Sequence, residues 1–202
     1  MDLYIIRHGR PERQVLAAGA GTADPGLSET GLLQAARVAE FLDGEGIDHI
    51  VSSTMRRAYE TALPLATSLG YEIEQLDDIK ESDHKNSVYI PAEEMSPDDP
   101  DAAHFFEGDI HDHVFSDGIE HFTERVSRGF QHIIDTNKSK KVAVYCHGMV
   151  TSIFLRTILR FEDPLSLTPD YCGISRVRAA SNGIRSVRSI NETHHVRDLI
   201  EW

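Results

Sequence analysis

The sequence predicts an α/β fold: a three-layer α/β/α sandwich with a mostly parallel central sheet and an inserted acidic cap. Three observations carry this expectation. Short apolar strands alternate with amphipathic helices, the pattern of a parallel sheet covered on both faces. Two of those strands, in LYIIRHG and VAVYCHG, deliver a His-Gly pair at their carboxyl ends, His8-Gly9 and His147-Gly148. Residues 81–121 hold 12 acids and one base, Lys85, whereas the other 161 residues hold 21 acids and 19 bases. One segment therefore carries most of the net charge of −13.

The elements follow in order. Asp2–Ile6 is an apolar strand, and residues 10–26, rich in Gly, Ala and Pro, read as an irregular loop. Ser28 is a good N-cap for a helix to Leu42, with Leu32, Leu33, Ala36, Ala39 and Leu42 at helical spacing. Residues 48–52 form a second strand, and Ser53 or Thr54 caps a second helix through Leu69. Tyr71–Gln75 reads as a third strand. From about 82 to 118 there is no periodicity, and Pro91, Pro97 and Pro100 punctuate the run. A long insert of that kind in a compact domain is usually functional, such as a lid. A helix from about Ile119 to Thr136, a strand Lys141–Cys146 and a helix Met149–Arg160 follow. Ile174–Ala179 and Ile184–Ile190 read as a hairpin around Asn182-Gly183. At 202 residues the chain is expected to be one domain, 1–202, with the cap inserted at about 82–118.

Composition excludes several classes. No stretch approaches 18 consecutive apolar residues, so no membrane-spanning helix is expected. The N-terminal segment has no basic region and reads as a strand, not a secretory leader. Cys146 and Cys172 sit in apolar stretches and read as buried reduced thiols, which points to a cytoplasmic protein. The acidic excess opposes nucleic-acid binding. The C-terminal hairpin offers a sheet edge for a homodimer.

In open α/β sheets ligands bind at the carboxyl ends of the strands, so His8 and His147 are placed to meet there. A histidine after a strand is more often structural, but Arg7 before His8 supplies a planar fork suited to phosphate oxygens. Gly9 lets the backbone turn and a ligand approach. The helix beginning after His147 adds a positive dipole that favours an anion. Arg57 precedes Ala58 on the apolar stripe and should point inward, with Arg56 outward.

Arg7-His8-Gly9, the run Ser52–Ala62 and Cys146-His147-Gly148, in this order and each at a strand end, resemble the histidine phosphatase superfamily, also called phosphoglycerate mutase-like. Residues 24–31 with Gln34-Ala35 look like the family's approach to its first helix, and residues 191–196 like its closing strand. The resemblance covers about residues 2–81 and 118–196. It implies that His8 is the phosphorylated nucleophile, that Arg7, Arg57 and His147 form the phosphate pocket, and that Glu81 is the general acid. Gln14 would replace an asparagine that touches phosphate.

The chain departs from many family members at Arg10-Pro11; Arg13-Gln14 stand where the family's mutases carry their signature, which favours a phosphatase, and Gly118-Ile119-Glu120 differs from the usual Gly-Glu-Ser, which argues against a glycerate substrate. The expected activity is metal-independent hydrolysis of a small-molecule phosphomonoester, of the histidine acid phosphatase type, with no cofactor. The alternatives are a phosphoglycerate-type mutase and a non-catalytic member that only binds phospholigands. Asp109, His111 and His113, at strand spacing in the insert, could ligate a divalent ion, but a solvated acidic loop is the simpler reading. A segment of −11 beside the pocket should disfavour highly phosphorylated substrates and hold Glu81 protonated.

Overall fold

The computed structural model describes residues 1–17, 19–116 and 118–200; Asp117, one of the insert's acids, lies outside them. Four parallel strands, β1 (Asp2–Arg7), β3 (His49–Ser53), β4 (Ile73–Leu76) and β6 (Lys141–Cys146), form the body of a six-stranded sheet. Across the sheet they stand in the order β4-β3-β6-β1, and β7 (Ile174–Ala179) and β8 (Arg185–Glu192) continue it antiparallel beyond β1.

Alternation along the strands explains the layers. Leu3, Ile5, Val142 and Val144 face one core with side chains of α4 (Ile119–Thr136) and α5 (Gly148–Leu159). Tyr4, Ile6, Ala143 and Tyr145 face a second core with α1 (Glu29–Asp43) and α2 (Arg56–Leu69). Both alternate sets must be apolar because both faces are covered, which is why these strands read as continuous apolar runs. Cys146 and Cys172 are buried and unbonded.

Three local expectations are corrected. The third strand begins at Ile73 and not at Tyr71, because Gly70 at φ 67° closes α2 and the amide of Tyr71 bonds back to the Ala66 carbonyl. Neither Ser53 nor Thr54 caps α2: Met55 holds the N-cap position, the Ser53 hydroxyl accepts from the Met55 amide, and Thr54 bonds Asp77. The insert is not without regular structure. β5 (Val88–Tyr89) pairs with β2 (Gln14–Val15), and α3 (Ile110–Val114) adds one turn of helix. Ser28 does cap α1, accepting from the Gly31 amide. Among the described residues no helix is long and apolar enough to cross a membrane.

Candidate active site

Strand register builds the site. β1 pairs with β6 so that Arg7 lies opposite Cys146, and β3 pairs with β6 so that Ser52 lies opposite Tyr145. The three strands end at one level, and His8, Ser53 and His147 become lateral neighbours on the carboxyl rim. The His8 and His147 rings meet edge-on with centroids 5.1 Å apart, and both are buried.

His8 is held as a neutral base. Its Nδ1 lies 2.8 Å from the Gly9 carbonyl, a contact that requires the proton on Nδ1 and leaves the lone pair on Nε2. Arg57 Nε donates to that Nε2 at 3.2 Å. Burial, then Arg57, then Arg7 hold the His8 imidazole well below its ordinary pKa. His147 is likewise held well below the usual imidazole range, first by burial and then by Arg57. Its Nε2 lies 2.9 Å from the Ser53 hydroxyl.

The two arginines each lie under a tyrosine ring. Arg7 sits 4.1 Å from the ring centre of Tyr171, and Arg57 sits 4.6 Å from that of Tyr89. Such stacking fixes a guanidinium plane while leaving its edge nitrogens free to bond. Arg57 is 1% exposed, as an inward-facing residue next to Ala58 should be, and Arg56 turns outward to pair with Glu60. Three buried nitrogens beside His8 have no hydrogen-bond partner among the described residues: Arg7 Nε, Arg57 Nη1 and His147 Nδ1.

Glu81 shares a cavity of about 270 Å³ with Arg7, His8 and Arg57. Its Oε2 accepts from the Met149 amide at 2.9 Å and its Oε1 from the Ser82 amide at 3.0 Å. The first turn of α5 thus serves the carboxylate of Glu81. Burial first, then the Asp83 charge, push the Glu81 pKa up, against the opposing pull of those amides. Asp83 itself grips Arg57 Nη2 with both oxygens, at 2.8 and 3.1 Å. Within the acidic insert it is therefore the immediate neighbour Asp83, more than the segment's total charge, that acts on Glu81.

Four further carboxylates of the cap are matched by arginines. Arg10 pairs with Glu93 and Glu94, and Arg13 with Asp99 and Asp101. The departures Arg10 and Arg13 thus fasten the cap to the loop that follows His8.

The structure does not bring every predicted residue to the cavity. Gln14 belongs to β2, and its side-chain oxygen accepts from the Asp24 amide at 2.7 Å, so it braces the loop and does not line the cavity. His147 is packed behind His8 and is absent from the cavity wall, which Gly148 supplies. Asp109, His111 and His113 do not form a strand-like row. Asp109 caps α3, His111 reaches Asp163 at 3.4 Å, and His113 bonds the Glu107 carbonyl. Among the described residues no three His, Cys, Asp or Glu side chains converge as a metal site would need. Gly9 has a different reason from the one expected: a Cβ there would meet the Gly31 carbonyl oxygen at 2.7 Å, and one on Gly31 would meet the Arg10 carbonyl oxygen at 2.0 Å. The loop carrying His8 is pressed backbone to backbone against α1.

Tyr89, Tyr171 and Asp83 were not singled out from the sequence. Asp83 stands two residues after Glu81, a spacing that marks it as a carboxylate neighbour; nothing local marks the tyrosines, which arrive from the cap and from the loop before β7.

Known proteins share the fold that carries these residues. A model of the histidine phosphatase superfamily, branch 1, matches residues 3–193, and the chain belongs to that superfamily. A bifunctional protein of Mycobacterium tuberculosis is 29% identical over 200 residues, 96% of this chain and 54% of its own length. The chain thus spans about half the length of the first curated relatives it matches. The uncharacterized phosphatase PhoE of Bacillus subtilis is 28% identical over 164 residues, 81% of this chain and 80% of its own. Among solved structures, phosphoserine phosphatase of Entamoeba histolytica superposes with a TM-score of 0.70 at 22% identity, covering 96% of this chain and 98% of that one.

Proposed function

We propose that this protein is a metal-independent phosphomonoester hydrolase that works through a phosphohistidine on His8. The observation that carries the reading is the pair of buried, partnerless guanidinium donors, Arg7 Nε and Arg57 Nη1, on the cavity that the lone pair of His8 also faces. A buried donor left unmade costs about 1–3 kcal/mol, so a pair of them is kept for a ligand that accepts several hydrogen bonds at once. A phosphoryl group with three equatorial oxygens is such a ligand.

In the first step the His8 Nε2 lone pair forms a bond to phosphorus as the ester P–O bond breaks. Glu81, protonated, gives its proton to the departing oxygen. In the second step a water oxygen bonds phosphorus, Glu81 takes the water's proton, the P–N bond breaks and inorganic phosphate leaves. Arg7 and Arg57 supply fixed positive charge to the equatorial oxygens throughout, so the scheme needs no metal ion. The relatives named as phosphatases support this reading. The test is release of phosphate from a chromogenic phosphomonoester in the presence of a chelator. His8→Ala should abolish it, and acid quenching of the wild type should trap an acid-labile phosphoenzyme. Full activity in His8→Ala, or loss on chelation that zinc restores, overturns the scheme.

A further inference from the structure

The cap supplies much of the cavity's wall. From the cap, Val88, Ile90, Met95, Phe105, Ile110 and Val114 line the cavity, with Ser82 and Asn86 as its uncharged polar members. Tyr89 and Tyr171 join this wall to the phosphate end. The wall's basic groups are Arg7 and Arg57, both at the phosphate end, and His113, which bonds the Glu107 carbonyl. Asp83 also stands on the wall. The cations that follow His8 in the chain, Arg10 and Arg13, are drawn onto cap carboxylates and do not line the cavity.

We infer that the substrates are phosphate monoesters of uncharged apolar alcohols or phenols, and that esters carrying a second anion are rejected. The inference rests on the proposed hydrolase reading and adds the leaving group to it. A carboxylate or second phosphate placed against this wall would lose its water and meet no permanent positive charge, because His113 Nε2 is already bonded to the Glu107 carbonyl, while Asp83 would repel it. An aliphatic or aromatic body gains by leaving water, by about fourfold in affinity for each methylene buried. A cavity of about 270 Å³ has room for a body of about one or two aromatic rings beyond the phosphate.

This separates the chain from its fold neighbour named for phosphoserine, whose ligand carries a carboxylate and an ammonium group. It also accounts for the acidic composition in a way the net charge does not. Among the described residues five of the insert's carboxylates, Asp83 included, engage arginines of the body, and the side of the same segment that lines the cavity is mostly apolar.

The experiment compares kcat/KM for 4-methylphenyl phosphate and 4-carboxyphenyl phosphate, which match in size, together with phosphoserine and 3-phosphoglycerate. The wild type should favour the methyl ester over the carboxylated one by about a hundredfold, and the two aliphatic acids should be poorer still. Ile110, 49% exposed at the start of α3, tolerates a charged side chain, so Ile110→Lys should fold and lower that preference at least tenfold. If the methyl and carboxylated esters are turned over equally, or phosphoserine is the best of the four, the inference fails while the hydrolase reading stands. An unchanged preference in Ile110→Lys also overturns it, because the wall would then not touch the leaving group. If none of the four releases phosphate, the hydrolase reading itself has failed.

Discussion

The carboxyl rim of the sheet and the cap above it use charge in opposite ways. On the rim, a few charged and polar groups are buried and left partly unbonded: Arg57 is 1% exposed, yet its Nη1 has no partner among the described residues. In the cap, charged groups are many and part-exposed, and four of the carboxylates are bonded to Arg10 and Arg13. The contrast teaches that the number of charges in a segment says little about its electrical effect on a site. A desolvated group acts strongly because little water screens it, whereas an exposed pair contributes modestly whatever its count.

The largest expected effect lies on the rim. His8→Ala should lower kcat by at least about 10⁴-fold, since without the nucleophile only binding and charge stabilisation remain. Arg57→Ala should follow, lowering kcat/KM by about 10²–10³-fold, the size seen when one preorganised donor is lost. The measurement is steady-state turnover of one apolar ester, with circular dichroism to confirm folding. If Arg57→Ala costs less than tenfold, the rim is not the preorganised charge site described here.

Asp83→Asn sharpens the comparison, because Asp83 belongs to the insert by sequence and to the rim by contact. In the proposed scheme Glu81 acts first in its protonated form, and the Asp83 charge is the second cause, after burial, of its raised pKa. Removing that charge should move the basic limb of the kcat/KM profile to lower pH. The acid limb should stay in place down to well below 6.5, since burial and the arginines keep His8 unprotonated there. Arg57 Nη2 is also released from a carboxylate, so vanadate should inhibit the variant more tightly. A basic limb that does not move would show that Asp83 and Glu81 titrate independently.

The smallest effect should come from the cap fastening. Arg13→Ala breaks contacts to Asp99 and Asp101 that are all part-exposed, so kcat/KM should fall by less than about fivefold. Added salt should reproduce the loss in the wild type and have little further effect in the variant. A larger loss would mean that the cap is held chiefly by its charges.

How much of this was legible in the sequence follows from which contacts are local. His8 and His147 could be placed together because each ends a strand, and parallel register then brings strand ends to one level. Arg57 could be turned inward because helical spacing relates it to Ala58. The cap had no such period: β5 is two residues long and finds its partner, β2, more than seventy residues earlier in the chain. Gln14 was placed by resemblance alone, and that short pairing turns its amide onto Asp24. The stacking of Tyr89 and Tyr171 on the arginines depends on tertiary placement, on which spacing is silent.

The meeting of Gly9 with Gly31 has a consequence for how His8, the proposed nucleophile, is aimed. Side chains that locate a catalytic group can swivel, and a neighbouring substitution can re-aim them by repacking. Here the locating surfaces are main chain on main chain, which has no alternative rotamers to sample. The imidazole's position is therefore decoupled from drift in the composition of both apolar layers, and is set by two places where even one added methyl group would push the loop off its seat.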